Sequence, residues 1–125
     1  MIVIDSDIII WLLRGRQDIA ENFKKAVIER SGDIYVTPIQ IAEIYAGILP
    51  KEETKVEKFF GAIRTAPLEE KAGKLAGEFM NKYGKSHNVT MADAMTAAVA
   101  RLSNCALWTA NKKHYPMLKK EEFYD

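Results

Sequence analysis

The 125 residues include 18 basic and 17 acidic side chains, and the resulting net charge of +1 does not by itself advertise a nucleic-acid partner. With 48% apolar and 28% charged residues the composition excludes a disordered chain and fits one domain, residues 1–125, long enough to bury a continuous core. A single cysteine, Cys105, excludes an internal disulfide and a thiolate metal cluster, and the longest apolar run, Ile8 to Leu13, is too short to span a bilayer.

In chain order, "IVI" at 2–4 reads as a short buried strand that stops on Asp5, Ser6 and Asp7, ahead of a helix beginning "IIIWLL". "IYV" at 34–36 reads as a second strand. Thr37 with Pro38 then marks a helix start, and Ile39 to Leu49 runs almost uncharged until Pro50. A weaker strand is expected within Arg64 to Pro67, after the "KVEKFFGAI" helix. Leu68, Ala72, Leu75, Ala76, Phe79, Met80 and Tyr83 repeat at three and four, the mark of a long amphipathic helix. Within it, Gly73 and Gly77 have the spacing of a close-packing face. Thr90 caps "MADAMTAAVARL", and "CALWT" at 105–109 reads as a further strand holding a buried Cys105. Strands alternating with helices imply a mostly parallel sheet covered on both faces, an α/β fold.

Three acids stand where acids are unusual. Asp5 ends an apolar strand, Glu43 is the only charge between Thr37 and Pro50, and Asp93 is the only charge in "MADAMTAAVA". Each has a structural reading: Asp5, with Ser6 and Asp7 as alternatives, as a helix cap, Glu43 beside Gln40 on a solvent stripe, Asp93 as the acid of a capping box with Thr90. Each also has a functional one. In an open parallel sheet, ligands bind at the carboxyl ends of strands and the adjoining helix starts, where all three acids would face one crevice. Asn111, just past "CALWT", reaches the same edge as a neutral oxygen ligand or as an ordinary turn residue. Ser6 and Thr109 are placed to hydrogen-bond a carboxylate from behind. Converging carboxylates with no thiolate or imidazole among them call for a hard cation, Mg²⁺ or Mn²⁺. The basic run of Lys112, Lys113, Lys119 and Lys120 is either a solvated face or, at Lys112 and Lys113, an RNA contact.

Together "VIDSDIIIWLL", "TPIQIAEIYAGI", "YGKSHNVTMADAMTAAVA" and "LWTANKKHYP" resemble the PIN-domain ribonucleases, specifically the VapC toxins of toxin–antitoxin pairs. The resemblance implies a three-layer α/β/α sandwich, with Asp5, Glu43 and Asp93 as metal-binding catalytic acids and Asn111 in the fourth position. It further implies Mg²⁺- or Mn²⁺-dependent cleavage of translation-related RNA, a homodimer, and a small cognate antitoxin, VapB-like, that covers the site. With no apolar run long enough to span a bilayer, the expected compartment is the cytoplasm. The charged ending "PMLKKEEFYD" departs from the apolar edge strand usual in such proteins and leaves a fifth strand open. Two rival readings use the same acids without cleavage: a receiver-like phosphate acceptor, and a PIN scaffold that only binds RNA or a partner.

Overall fold

Very short runs of branched apolar residues make the centre of the sheet. β1 (Ile2–Ile4), β2 (Ile34–Val36), β3 (Arg64–Thr65) and β4 (Ala106–Trp108) lie in the order β3-β2-β1-β4, and every pair is parallel. Parallel neighbours cannot be joined by a tight turn, so each connection is helical. α1 (Ser6–Leu13) and α2 (Gln17–Glu29) link β1 to β2, α3 (Pro38–Gly47) and α4 (Glu53–Gly61) link β2 to β3, and α5 (Glu70–His87) and α6 (Met91–Leu102) link β3 to β4. The computed structural model describes residues 1–125.

Period-two alternation along the strands divides the core into two halves. Val3 and Leu107 join Ala72, Ala76 and Phe79 of α5 and Ala94, Ala97, Ala98 and Val99 of α6 on one face. Ile2, Ile4, Ile34, Val36 and Trp108 pack with Ile8, Ile9, Ile19, Ala26, Ile44 and Val56 from α1 to α4 on the other. The result is a three-layer α/β/α sandwich. No helix is long and apolar enough to cross a membrane.

β3 falls within the expected Arg64 to Pro67, and three local expectations are revised. Leu68, which opens the apolar repeat, is exposed ahead of α5. Cys105 is buried, but it precedes β4. A Cβ on Gly73 or Gly77 would meet nothing within 4 Å, so their spacing marks no close approach. The sheet edge beside β4 is closed by one rung: Phe123 bridges Leu107 in parallel, and the Tyr124 N–H donates to the Leu107 carbonyl at 2.9 Å. The charged turn Lys120–Glu122 allows no longer strand before it, while Trp108 and Tyr124 pack with ring centroids 5.2 Å apart.

Candidate active site

β1 and β4 end side by side, and the last rung between them is made by the first acid. The Asp5 N–H donates to the Trp108 carbonyl at 2.9 Å, after which the Asp5 side chain caps α1, its Oδ1 accepting from the Ser6 N–H at 2.8 Å. Oδ2 accepts from Thr109 Oγ1 at 2.9 Å and from the Tyr115 hydroxyl at 2.7 Å. The same hydroxyl stands 3.3 Å from Asp93 Oδ1, so one phenol joins Asp5 to Asp93. Asp93 is the third residue of α6, and its N–H donates to Thr90 Oγ1 at 3.2 Å.

Glu43 enters from α3. It is exposed, and its Oε1 accepts from Ser6 Oγ at 2.6 Å. What aims α3 is Gln40, which lies wholly inside the protein and not on a solvent stripe. Its Oε1 accepts from the Thr37 N–H at 2.8 Å and Thr37 Oγ1 at 2.7 Å, and its Nε2 donates to Thr96 Oγ1 at 2.8 Å. Gln40 precedes Glu43, and Thr96 follows Asp93, by about one helical turn. The buried amide therefore couples the helices that carry these two acids.

Asn111 is held on a fourth side chain, Asp7, to which the sequence pattern gave only a capping role. Asn111 Nδ2 and the Ala110 N–H both donate to Asp7 Oδ2 at 3.0 Å, and the Asn111 N–H donates to Thr109 Oγ1 at 3.1 Å. Asp7 thus stitches the first turn of α1 to the loop after β4. Lys112 is paired with Asp125 and lies over the Phe123 ring, whereas Lys113 is exposed and forms no ion pair. Tyr115 carries no signal in the sequence, because a buried tyrosine in the turn "KHYPML" has neither helical nor strand periodicity to announce it.

The electrostatics are those of uncompensated carboxylates. Neither lysine nor arginine pairs with Asp5, Asp7, Glu43 or Asp93; the one such contact is His114 Nδ1, 3.9 Å from Asp93 Oδ2. Burial first, and the neighbouring charge of Asp5 second, push the Asp7 and Asp93 carboxyls above the usual carboxylate range. Burial, with both acids adding to it, pushes the Tyr115 hydroxyl up, so it stays protonated and acts as a donor. As the side chains stand, no three His, Cys, Asp or Glu are gathered closely enough to hold a metal ion. The donor chemistry still fits a hard divalent cation: the side chains offer oxygens alone, and no lysine or arginine neutralises them.

The sequence profile of the PIN domain matches residues 2–117. The chain belongs to the PIN domain family. Ribonuclease VapC10 of Mycobacterium tuberculosis is 30% identical to this PIN domain over 121 residues, covering 96% of this chain and 90% of that protein. Ribonuclease VapC19 of the same organism is 28% identical over 118 residues, 94% of each. Among solved structures, VapBC2 from Rickettsia felis bound to a promoter DNA fragment superposes with a TM-score of 0.81 at 18% identity, over 100% of both chains. The toxin–antitoxin complex from Klebsiella pneumoniae gives 0.75 at 16% identity, over 100% of this chain and 97% of that one. These likenesses establish the PIN fold for this chain.

Proposed function

We propose that this PIN domain is the toxin of a VapBC-type toxin–antitoxin pair, a Mg²⁺- or Mn²⁺-dependent endoribonuclease that cleaves translation-related RNA in the cytoplasm. The observation that carries this reading is the joining of Asp5 to Asp93 through Tyr115 at the carboxyl edge of the sheet, with Glu43 reached through Ser6 and no basic partner among them. That arrangement lies within a chain whose relatives over nearly its whole length are ribonucleases by name.

Asp5 and Asp93 would hold the ion, with Glu43 completing the set and Asn111 as the fourth position. When bound, the ion supplies polarisation of a phosphoryl oxygen and a water acidified toward neutral pH. Glu43, exposed and with Oε1 already fixed by Ser6, is the carboxylate suited to orient that water and take its proton. Lys113, past the end of β4, is free to meet the RNA backbone, whereas Lys112 must first leave Asp125. Ser6 and Thr109 would act from behind, each donating to one of the acids.

A protein partner is part of the same reading. Beside Glu43, α1, α3 and α4 enclose a groove lined by Ile10, Leu13, Ile44, Ile48 and Val56, apolar surface an antitoxin segment would cover on its way to the acids. Tyr45 and Leu49 are exposed next to it and Met91 and Leu102 elsewhere, surface available to a second copy in a homodimer. The test is expression without a partner. The wild-type chain slows growth and Asp5→Asn does not, at equal soluble yield; an Asp5→Asn protein as toxic as its parent would remove Asp5 from the chemistry.

A further inference from the structure

Tyr115 is the largest fully buried side chain in the protein, 1% exposed, yet its hydroxyl meets two acids of the site. Its ring belongs to the cluster under α5 and α6. Its backbone is fixed from both sides: the Tyr115 N–H donates to the Lys112 carbonyl at 2.9 Å, and the Leu118 N–H donates to the Tyr115 carbonyl at 3.1 Å. A core that needed only volume here would be served by phenylalanine. The hydroxyl is the part that calls for an explanation.

A count of donors and lone pairs supplies it. Asp5 Oδ2 accepts from Thr109 and from Tyr115, which fills both of its lone-pair directions, while Oδ1 accepts only from the Ser6 N–H. The carboxylate is thereby held in one orientation, with capacity to spare on Oδ1 alone. Tyr115 has a single hydroxyl proton. Given to Asp5 at 2.7 Å, it leaves Asp93, at 3.3 Å, facing the phenol oxygen rather than a second carboxylate. The phenol both orients Asp5 and spaces Asp93 from it.

Resting on the reading of this edge as a cation centre, we propose that Tyr115 is a positioning residue for the acid pair, presetting Asp5 and Asp93 for a divalent ion through its hydroxyl. Removing the hydroxyl leaves Oδ2 with Thr109 alone and the two acids without a spacer. An ion must then order them itself. Loss of an outer hydrogen-bond partner of a ligand typically weakens metal binding by about 10- to 100-fold.

The experiment is a calorimetric titration of Mn²⁺ into the parent and Tyr115→Phe, with RNA cutting followed across the same Mn²⁺ range. The expected result is binding by the parent, binding about 10- to 100-fold weaker by Tyr115→Phe, and cutting by the variant that recovers toward the parent rate once Mn²⁺ saturates. Equal affinity in the two proteins would overturn the role of Tyr115 while leaving the cation centre intact. No uptake by the parent would overturn the cation centre itself, and the role of Tyr115 with it. Should Tyr115→Phe fold poorly, the parent labelled at tyrosine Cζ decides by NMR: Mg²⁺ shifts the Tyr115 resonance if its hydroxyl serves the pair, and an unmoved resonance at saturation refutes that.

Discussion

Replacing Asp93 by Asn separates what this residue does for α6 from what it does at the acid edge. As the third residue of α6 its charge lies at the positive end of the helix dipole, an interaction worth about 0.3–1 kcal/mol that Asn gives up. The backbone bond to Thr90 Oγ1 survives the change, since the donor is the main-chain N–H. Against the dipole stand burial, with the side chain 24% exposed, and the charge of Asp5, which together raise the carboxyl pKa above its ordinary 3.8. A raised pKa means that the ionised form is less favourable in the fold than in the unfolded chain. The associated stability is fully present below the unfolded value and is lost as pH rises through the folded one. In EDTA at neutral pH, Asp93→Asn should therefore melt a few degrees above the parent, since about 1 kcal/mol moves the midpoint of a domain this size by roughly 3–6 °C. The gap should close as pH falls below 3.8. Saturating Mn²⁺ should reverse the order, adding about 2.7 kcal/mol to the parent at a hundredfold excess over Kd and much less to the variant. Thermal melts of both proteins in EDTA and in Mn²⁺ give the four numbers. An Asp93→Asn protein that melts below its parent in EDTA and gains as much from Mn²⁺ would reduce Asp93 to a helix-start residue.

Gln40→Leu, which leaves the buried Thr37 N–H and hydroxyl without their acceptor while Thr96 Oγ1 keeps its bond to the Ala92 carbonyl, should cost about 1–3 kcal/mol for each donor left unpaired and lower the melting midpoint accordingly; a midpoint within a degree of the parent would show that the amide does not couple α3 to α6. Asp5→Asn should keep its cap on α1, because Asn caps about as well as Asp, so circular dichroism should match that of the parent while Mn²⁺ no longer raises the midpoint. A midpoint raised as much as in the parent would mean that the ion binds elsewhere.

For Asp5 and Asp93, a place at a helix start and a place at the acid edge are not alternatives. Asp5 caps α1 through Oδ1 while Oδ2 faces Thr109 and Tyr115, and Asp93 sits in the first turn of α6 with its N–H on Thr90 while its carboxyl meets the phenol. Hydrophobic runs placed β1, β2 and β4 within a residue or two, and their alternation with helices gave the parallel sheet. Periodicity failed where the signal was carried by single residues. Gln40 looked like a polar neighbour of Glu43, but its amide can satisfy Thr37 and Thr96 at once, which makes full burial tolerable. Asp7 and Tyr115 act on partners more than a hundred residues away in the chain, Asp7 on Asn111 and Tyr115 on Asp5, and no local pattern encodes such a pairing. The lysine run reads as a solvated face or an RNA contact, and the acid that pairs with Lys112 is Asp125, brought there by the single rung between Phe123 and Leu107.

The central claim, that these acids hold a cation that cleaves RNA, is tested most directly by incubating the purified protein with a labelled single-stranded or stem–loop RNA in Mg²⁺ or Mn²⁺ and in excess EDTA, with Asp5→Asn in parallel. Discrete cleavage with the added metal, none in EDTA and none by the variant is the expected outcome. Undiminished cutting in EDTA, or equal cutting by Asp5→Asn, would contradict it.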